Sequence, residues 1–145
     1  MAGRESFQRP IPHGVDHAAV LRVIEQYVAT VNARDAEGNR ATMTAPHVRI
    51  GGAGDVLTLP DDEALGRLTS FGSLEATGWE RTALDWAEVI QADEDKAHVA
   101  LQFSRYRDDG SHIVTFESLY VLVRRNGQWR IQGRSSFAPD RPSVR

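Results

Sequence analysis

The stretch "GQWRIQGRSSF", Gly127–Phe137, alternates almost without a break. Read as a strand, it sends Trp129, Ile131, Gly133, Ser135 and Phe137 to one face, because successive strand side chains point to opposite sides. Arg130, Gln132, Arg134 and Ser136 go to the other. The first face is apolar with small gaps; the second is polar and carries two arginines. Upstream, Asn126-Gly127 and Asp109-Gly110 are hairpin signals. Counting back from each turn sets the pairing. Phe103 then faces Phe116, Leu101 faces Ser118 and Val99 faces Tyr120. Across the next hairpin Phe116 faces Phe137, Ser118 faces Ser135, Tyr120 faces Gly133 and Leu122 faces Ile131. Burying one large apolar side chain stabilises by roughly 1.5–3 kcal/mol, and a one-residue slip would expose the whole set. The apolar face is therefore expected to be concave and covered, and the arginine face to be outside.

Helical periodicity precedes these strands. Asp16 suits an N-cap, with Val15 and Val20 as a hydrophobic staple. Val20, Val23, Ile24, Tyr27, Val28 and Val31 form one stripe at helical spacing. Asp35 caps a second helix expected to reach about Thr44, interrupted by Gly38 and ended by Pro46. "HVRI", His47 to Ile50, reads as a short strand running into a flexible loop, "GGAGD". Pro60-Asp61-Asp62-Glu63 opens a third helix, whose inner side is Leu65, Leu68 and Phe71. From Thr82 the period changes to two, over "TALDWAEVI", "AHVALQFSRY", "HIVTFESLYVLVRR" and "WRIQGRSSF". Helices followed by an antiparallel meander mean α+β rather than α/β.

Composition narrows the classes. The 145 residues suit one domain with its own core. The expected organisation is an N-terminal arm over residues 1–14, one domain over 15–138 and a tail over 139–145. No cysteine is present, which removes thiol chemistry and fits a reducing, cytoplasmic setting. The net charge of −3 has no basic stripe, so nucleic acid is not an expected partner. Neither a membrane-spanning run nor a signal core is found, so no membrane partner is expected. The five His are scattered without metal-ligand spacing, and the glycine run lacks the Lys and helix start of a phosphate loop, so no metal or cofactor is expected.

A capped helix with a central Tyr, the "APHVRI" strand and a long meander ending in "WRI" resemble the nuclear transport factor 2-like superfamily. Its members include SnoaL-like polyketide cyclases, ketosteroid isomerase and scytalone dehydratase. The resemblance spans roughly Asp16 to Phe137. It implies a cone-shaped α+β barrel, with N-terminal helices packed in the concave face of a curved antiparallel sheet, a pocket at the open end and dimers through the convex face. "QYVATVNARD" is similar to the ketosteroid isomerase helix, which places that enzyme's oxyanion-binding Tyr on Tyr27. Its oxyanion acid falls on Tyr120, and its general base on Gly51, which has no side chain. "TAPHVRI" and "SRYRD" are similar to scytalone dehydratase, but its Tyr-Asp pair falls on Val31-Asn32 and its second Tyr on Gly52. Thus the scaffold is implied without the machinery of either enzyme.

The candidate residues each have two readings. Tyr27 is a core Tyr or a pocket donor. Tyr120 faces Gly133, which leaves room for the ring or a ligand, and Ser118 opposite Ser135 leaves ligand space or forms a cross-strand bond. His47 is a satisfied strand residue or an acid-base group. Glu88 would be an inward carboxylate beside Trp86, opposite Leu101, if the "DEDK" turn keeps even register. Trp86, Phe103, Trp129 and Phe137 are expected as pocket walls. On the outer face, Leu119, Val121 and Val123 form an apolar row, with Glu117 and Arg134 as diagonal neighbours, and a homodimer is the expected partner of that row. The expected function is a small-molecule pocket protein. Two classes fit it: an isomerase, dehydratase or cyclase acting on a small apolar or aromatic ring, or a non-catalytic ligand-binding or dimeric interaction module.

Overall fold

A computed structural model describes residues 16–68 and 71–137. The expected arm and tail, the Val15 half of the staple and the side chain of Leu68 lie outside the described part. Helix α1 (His17–Asn32) forms where the apolar stripe placed it. The Asp16 carboxylate accepts the Ala19 N–H at 3.0 Å, satisfying one free donor of the first turn. Val20 and Ile24 are fully buried against the sheet. Helix α2 (Ala36–Ala41) is capped by Asp35 but stops short of Thr44. The Thr42 hydroxyl donates to the Asn39 carbonyl at 2.6 Å and closes the turn.

The chain then enters strand β1 (Met43–Ile50), four residues earlier than expected. Pro46 sits inside it, where a strand normally needs an N–H. Pairing with the final strand is irregular between Met43 and Val48, so no ladder donor is missing there. The expected loop "GGAGD" is a tight hairpin turn, with Gly51 N–H on the Asp55 carbonyl and Gly54 N–H on the Gly51 carbonyl, both at 2.9 Å. It leads to strand β2 (Val56–Leu59), which sequence reading missed because it is short and largely exposed. Helix α3 (Asp62–Leu68) buries Leu65, and a single turn, α4 (Gly72–Glu75), follows Phe71.

Strands β3 (Trp79–Ala92), β4 (Lys96–Arg107), β5 (His112–Arg125) and β6 (Gln128–Phe137) form the meander. The sheet runs β2-β1-β6-β5-β4-β3. Its neighbours are antiparallel except for the β1–β6 pair, which is parallel. The helices pack on its concave face, making the α+β cone. The core lies between α1 and the sheet, around Val99, Leu101, Leu122 and Ile131.

Between β4 and β5 the register is as counted: Phe103 pairs with Phe116, Leu101 with Ser118 and Val99 with Tyr120. Between β5 and β6 the count holds from the turn as far as Leu122–Ile131. Gln132 is then an extra residue, and Val121 pairs with Gly133, Tyr120 with Arg134, Ser118 with Ser136 and Glu117 with Phe137. A bulge shifts parity, so every later side chain changes face. Arg134 and Ser136 therefore turn inward. Gly133, Ser135 and Phe137 turn outward, and Phe137 is 65% exposed. Phe116 instead stacks on Phe103, with ring centroids 5.0 Å apart. Strand β3 carries bulges between Leu84 and Trp86 and between Val89 and Gln91. The first sends Ala87 and Val89 inward, leaving Trp86 and Glu88 on the outer face. Leu119, Val121 and Val123 lie outside as expected. Among the described residues, no helix is long and apolar enough to cross a membrane.

Candidate functional site

The open end of the cone holds a cavity of about 280 Å3. Helix α1 contributes Tyr27, Val28 and Val31, and strand β1 contributes Met43 and Arg49. Leu101, Phe103 and Arg105 come from β4, Tyr120 from β5 and Arg134 from β6. Phe71, Ser73, Leu74 and Thr77 cover it from the α4 side. Periodicity explains the convergence. The helical stripe lays Tyr27 over the sheet, and the inward parity of β4 and β5 presents Phe103, Arg105 and Tyr120 beneath it.

Arg134 is the hub of the polar wall. Its Nη1 donates to the Tyr27 hydroxyl, and its Nε donates to His47 Nε2 at 3.0 Å. His47 Nδ1 lies 3.1 Å from the Ile131 carbonyl. A carbonyl only accepts, so the hydrogen-bond network assigns the ring proton to Nδ1 and leaves Nε2 as the acceptor. Burial first, and the Arg134 charge second, lower the His47 pKa from 6.5 to about 4. His47 is thus a fully buried, neutral imidazole with both nitrogens engaged. It positions Arg134 and does not face the cavity.

Tyr27 accepts from Arg134 through its hydroxyl. Its ring meets Tyr120 edge-on, with centroids 5.8 Å apart and planes at 90°. Tyr120 is buried, and burial followed by the neighbouring Tyr27 pushes its pKa above the ordinary tyrosine value, so it stays protonated. Arg105 is half-buried. Its guanidinium lies 4.7 Å from the Phe116 ring centroid and 5.8 Å from that of Phe103. Burial lowers its pKa, yet an arginine remains charged in a protein. Among the described residues, no group of three or more His, Asp or Glu could hold a metal.

Of the residues singled out from sequence, Tyr27, Tyr120 and Phe103 line the cavity. Ser118 is on the inner face, but its hydroxyl bonds Ser136 at 2.8 Å rather than Ser135, which the bulge turns outward. Trp129 is half-buried and packs on the core near the Asn126-Gly127 turn, away from the cavity lining. Trp86 and Phe137 are exposed on the outer face and form no wall. Glu88 pairs with Ala100 on that face and is no pocket acid. Gly133 sits behind Val121 rather than opposite Tyr120, so it makes no room for that ring. Arg134 does not pair with Glu117 outside; it is the inner hub. Three arginines of the site were thus missed. Arg105 shares the parity of Phe103 and Arg49 that of His47, a signal the apolar count overlooked. The inward turn of Arg134 had no local signal.

Residues 17–137 match the family described as NTF2-like protein (DUF6841). No curated protein matches. Among solved structures, the chain is similar to a protein of unknown function with a cystatin-like fold from Nostoc punctiforme. That pair shares 17% identity over 92% of this chain and 98% of the other, with a TM-score of 0.73. Aln2 from a Streptomyces species shares 20% identity over 90% and 96%, with a TM-score of 0.71. A ketosteroid isomerase-like protein from Erwinia carotovora atroseptica shares 18% over 86% and 96%, with a TM-score of 0.64. At these identities the likeness is one of fold.

Proposed function

The chain belongs to the NTF2-like DUF6841 family, and on that footing we propose that it is a small-molecule pocket protein whose Tyr27–Arg134 pair meets an oxygen of a compact cyclic ligand. One observation carries the reading: the cavity lining brings Tyr27, Tyr120 and Arg134 together beside apolar Leu101, Phe103 and Met43. These groups donate hydrogen bonds and carry positive charge, which suits holding an oxygen better than removing a proton. The cavity is at the small end for ligand pockets, so the ligand is a one- or two-ring body. Binding without turnover is the favoured form. The reading as an isomerase, dehydratase or cyclase draws on the same three groups, which could stabilise an enolate oxygen in a transition state. We also propose that the protein works as a cytoplasmic homodimer through the convex face, supported by its cysteine-free composition and the outward Leu119, Val121 and Val123.

Titration calorimetry with 2-naphthol tests the pocket. Tyr27→Phe removes one donor and should weaken binding roughly two- to tenfold, the net worth of one hydrogen bond. It also removes the acceptor for Arg134, so a loss of about 1 kcal/mol in stability is expected alongside. Unchanged affinity with reduced stability would make Tyr27 a structural residue and remove the main support for the reading.

A further inference from the structure

Resting on the pocket reading above, we propose that the ligand is an acid: a flat, ring-bearing carboxylate whose charged end is received by Arg49, Arg105 and Arg134. Three guanidinium-bearing side chains line one small cavity, and among the described residues no carboxylate stands in its lining. Among the described residues, none of the three forms an ion pair. The charge of Arg134 is met by the hydroxyls of Tyr27 and Tyr120 and by a neutral imidazole, none of which supplies a negative charge. Arg105 lies against two phenylalanine rings. Arg49, which is exposed, also lines the cavity. Confining like charges without a counterion is costly, and the cost grows as water is excluded. Evolution of a cavity for an uncharged ligand would gain nothing from that cost. An anion entering it turns three repelling charges into a receptor.

Carboxylate fits the geometry best. It is planar, and a guanidinium fork can bind its two oxygens side by side. The remaining walls, Val28, Met43, Leu101, Phe103, Phe71 and Leu74, are apolar and suit the ring that carries it. His47 has a part in this. By accepting from Nε, it fixes the Arg134 guanidinium without neutralising it. A carboxylate in place of His47 would quench the charge the ligand needs.

The test compares naphthalene-2-carboxylate with naphthalene-2-carboxamide by titration calorimetry. The two have the same ring and nearly the same size and differ in charge. The carboxylate is expected to bind at least tenfold more tightly, consistent with the worth of one hydrogen bond to a charged group. Raising the salt should weaken the carboxylate and leave the amide unchanged. Arg105→Gln and Arg49→Gln should each narrow the preference for carboxylate over amide about threefold or more. If a variant fails to fold, the wild-type comparison with its salt series still decides. Equal affinities would overturn the acid and leave the pocket reading standing. A carboxylate preference that neither variant touches would overturn the assignment to these arginines. If neither probe binds, the pocket reading itself falls, and this inference with it.

Discussion

His47 is a residue whose surroundings decide its chemistry. A lone histidine near a pocket invites a role as a base, yet its two nitrogens are committed to Ile131 and Arg134. Its pKa of about 4 in the folded chain lies below the ordinary 6.5. As pH falls through 6.5 the unfolded state takes up a proton that the folded state refuses. The contribution to stability is therefore complete above about pH 6.5, declines between 6.5 and 4 and is absent below. The loss should be on the order of 3 kcal/mol at most. His47→Gln, whose amide can accept from Arg134 and donate to Ile131 without titrating, should flatten this part of the profile. Urea unfolding of both proteins across the range gives the comparison. Parallel profiles would mean that another group carries the dependence.

At the scale of the element, strand β6 holds two registers in ten residues. Before Gln132 its side chains follow simple alternation, and after it they are inverted. Ile131 is fully buried, and Phe137 is mostly exposed, although both read as one apolar face in the sequence. Ile131→Ala should cost about 2–5 kcal/mol by loss of packing and formation of a cavity. Phe137→Ala should stay within about 0.5 kcal/mol when unfolding is followed at protein concentrations low enough to keep monomers apart. Similar losses at the two positions would restore the unbroken alternation. The bulge also sets the chemistry of the cavity. It turns Phe137 outward and Arg134 inward, which puts a guanidinium in the lining.

Across the whole molecule, apolar side chains from several strands adjoin on the outer sheet face. The register places Leu119 beside Ser135 and Ile50, and Val121 beside Gly133 and Val48. Trp86 and Phe137 add exposed rings to the same face. The proposed dimer would cover this surface. Val121→Lys puts a charge in its middle while touching nothing in the core. Sedimentation should then show a folded monomer where the parent chain shows a dimer. An unchanged mass at low micromolar protein would discard the convex-face dimer. The inner end of the cone is independent of that outcome, because its arginines and tyrosines all come from one chain.

Local signals settled much of this architecture. The Asp16 cap, the valine-rich stripe of α1 and the two Gly turns sufficed for the first helix, the β4–β5 register and the places of Tyr27, Tyr120 and Phe103. Each of these depends on neighbours in sequence or on one tight turn, where periodicity and chirality leave few choices. The bulges at Asp85 and Gln132 had no such signal. Both are accompanied by contacts between strands: Asp85 accepts from Ser104 at 2.7 Å, the Gln132 side chain donates to the Pro46 carbonyl at 2.6 Å, and Arg134 finds His47 and Tyr27. One extra residue then reverses the parity of all that follow. The sequence by itself determined an α+β cone with a tyrosine-lined interior. Only the tertiary structure decided that the interior is cationic, because a side chain's face depends on the accumulated register, and that register depends on pairing far along the chain.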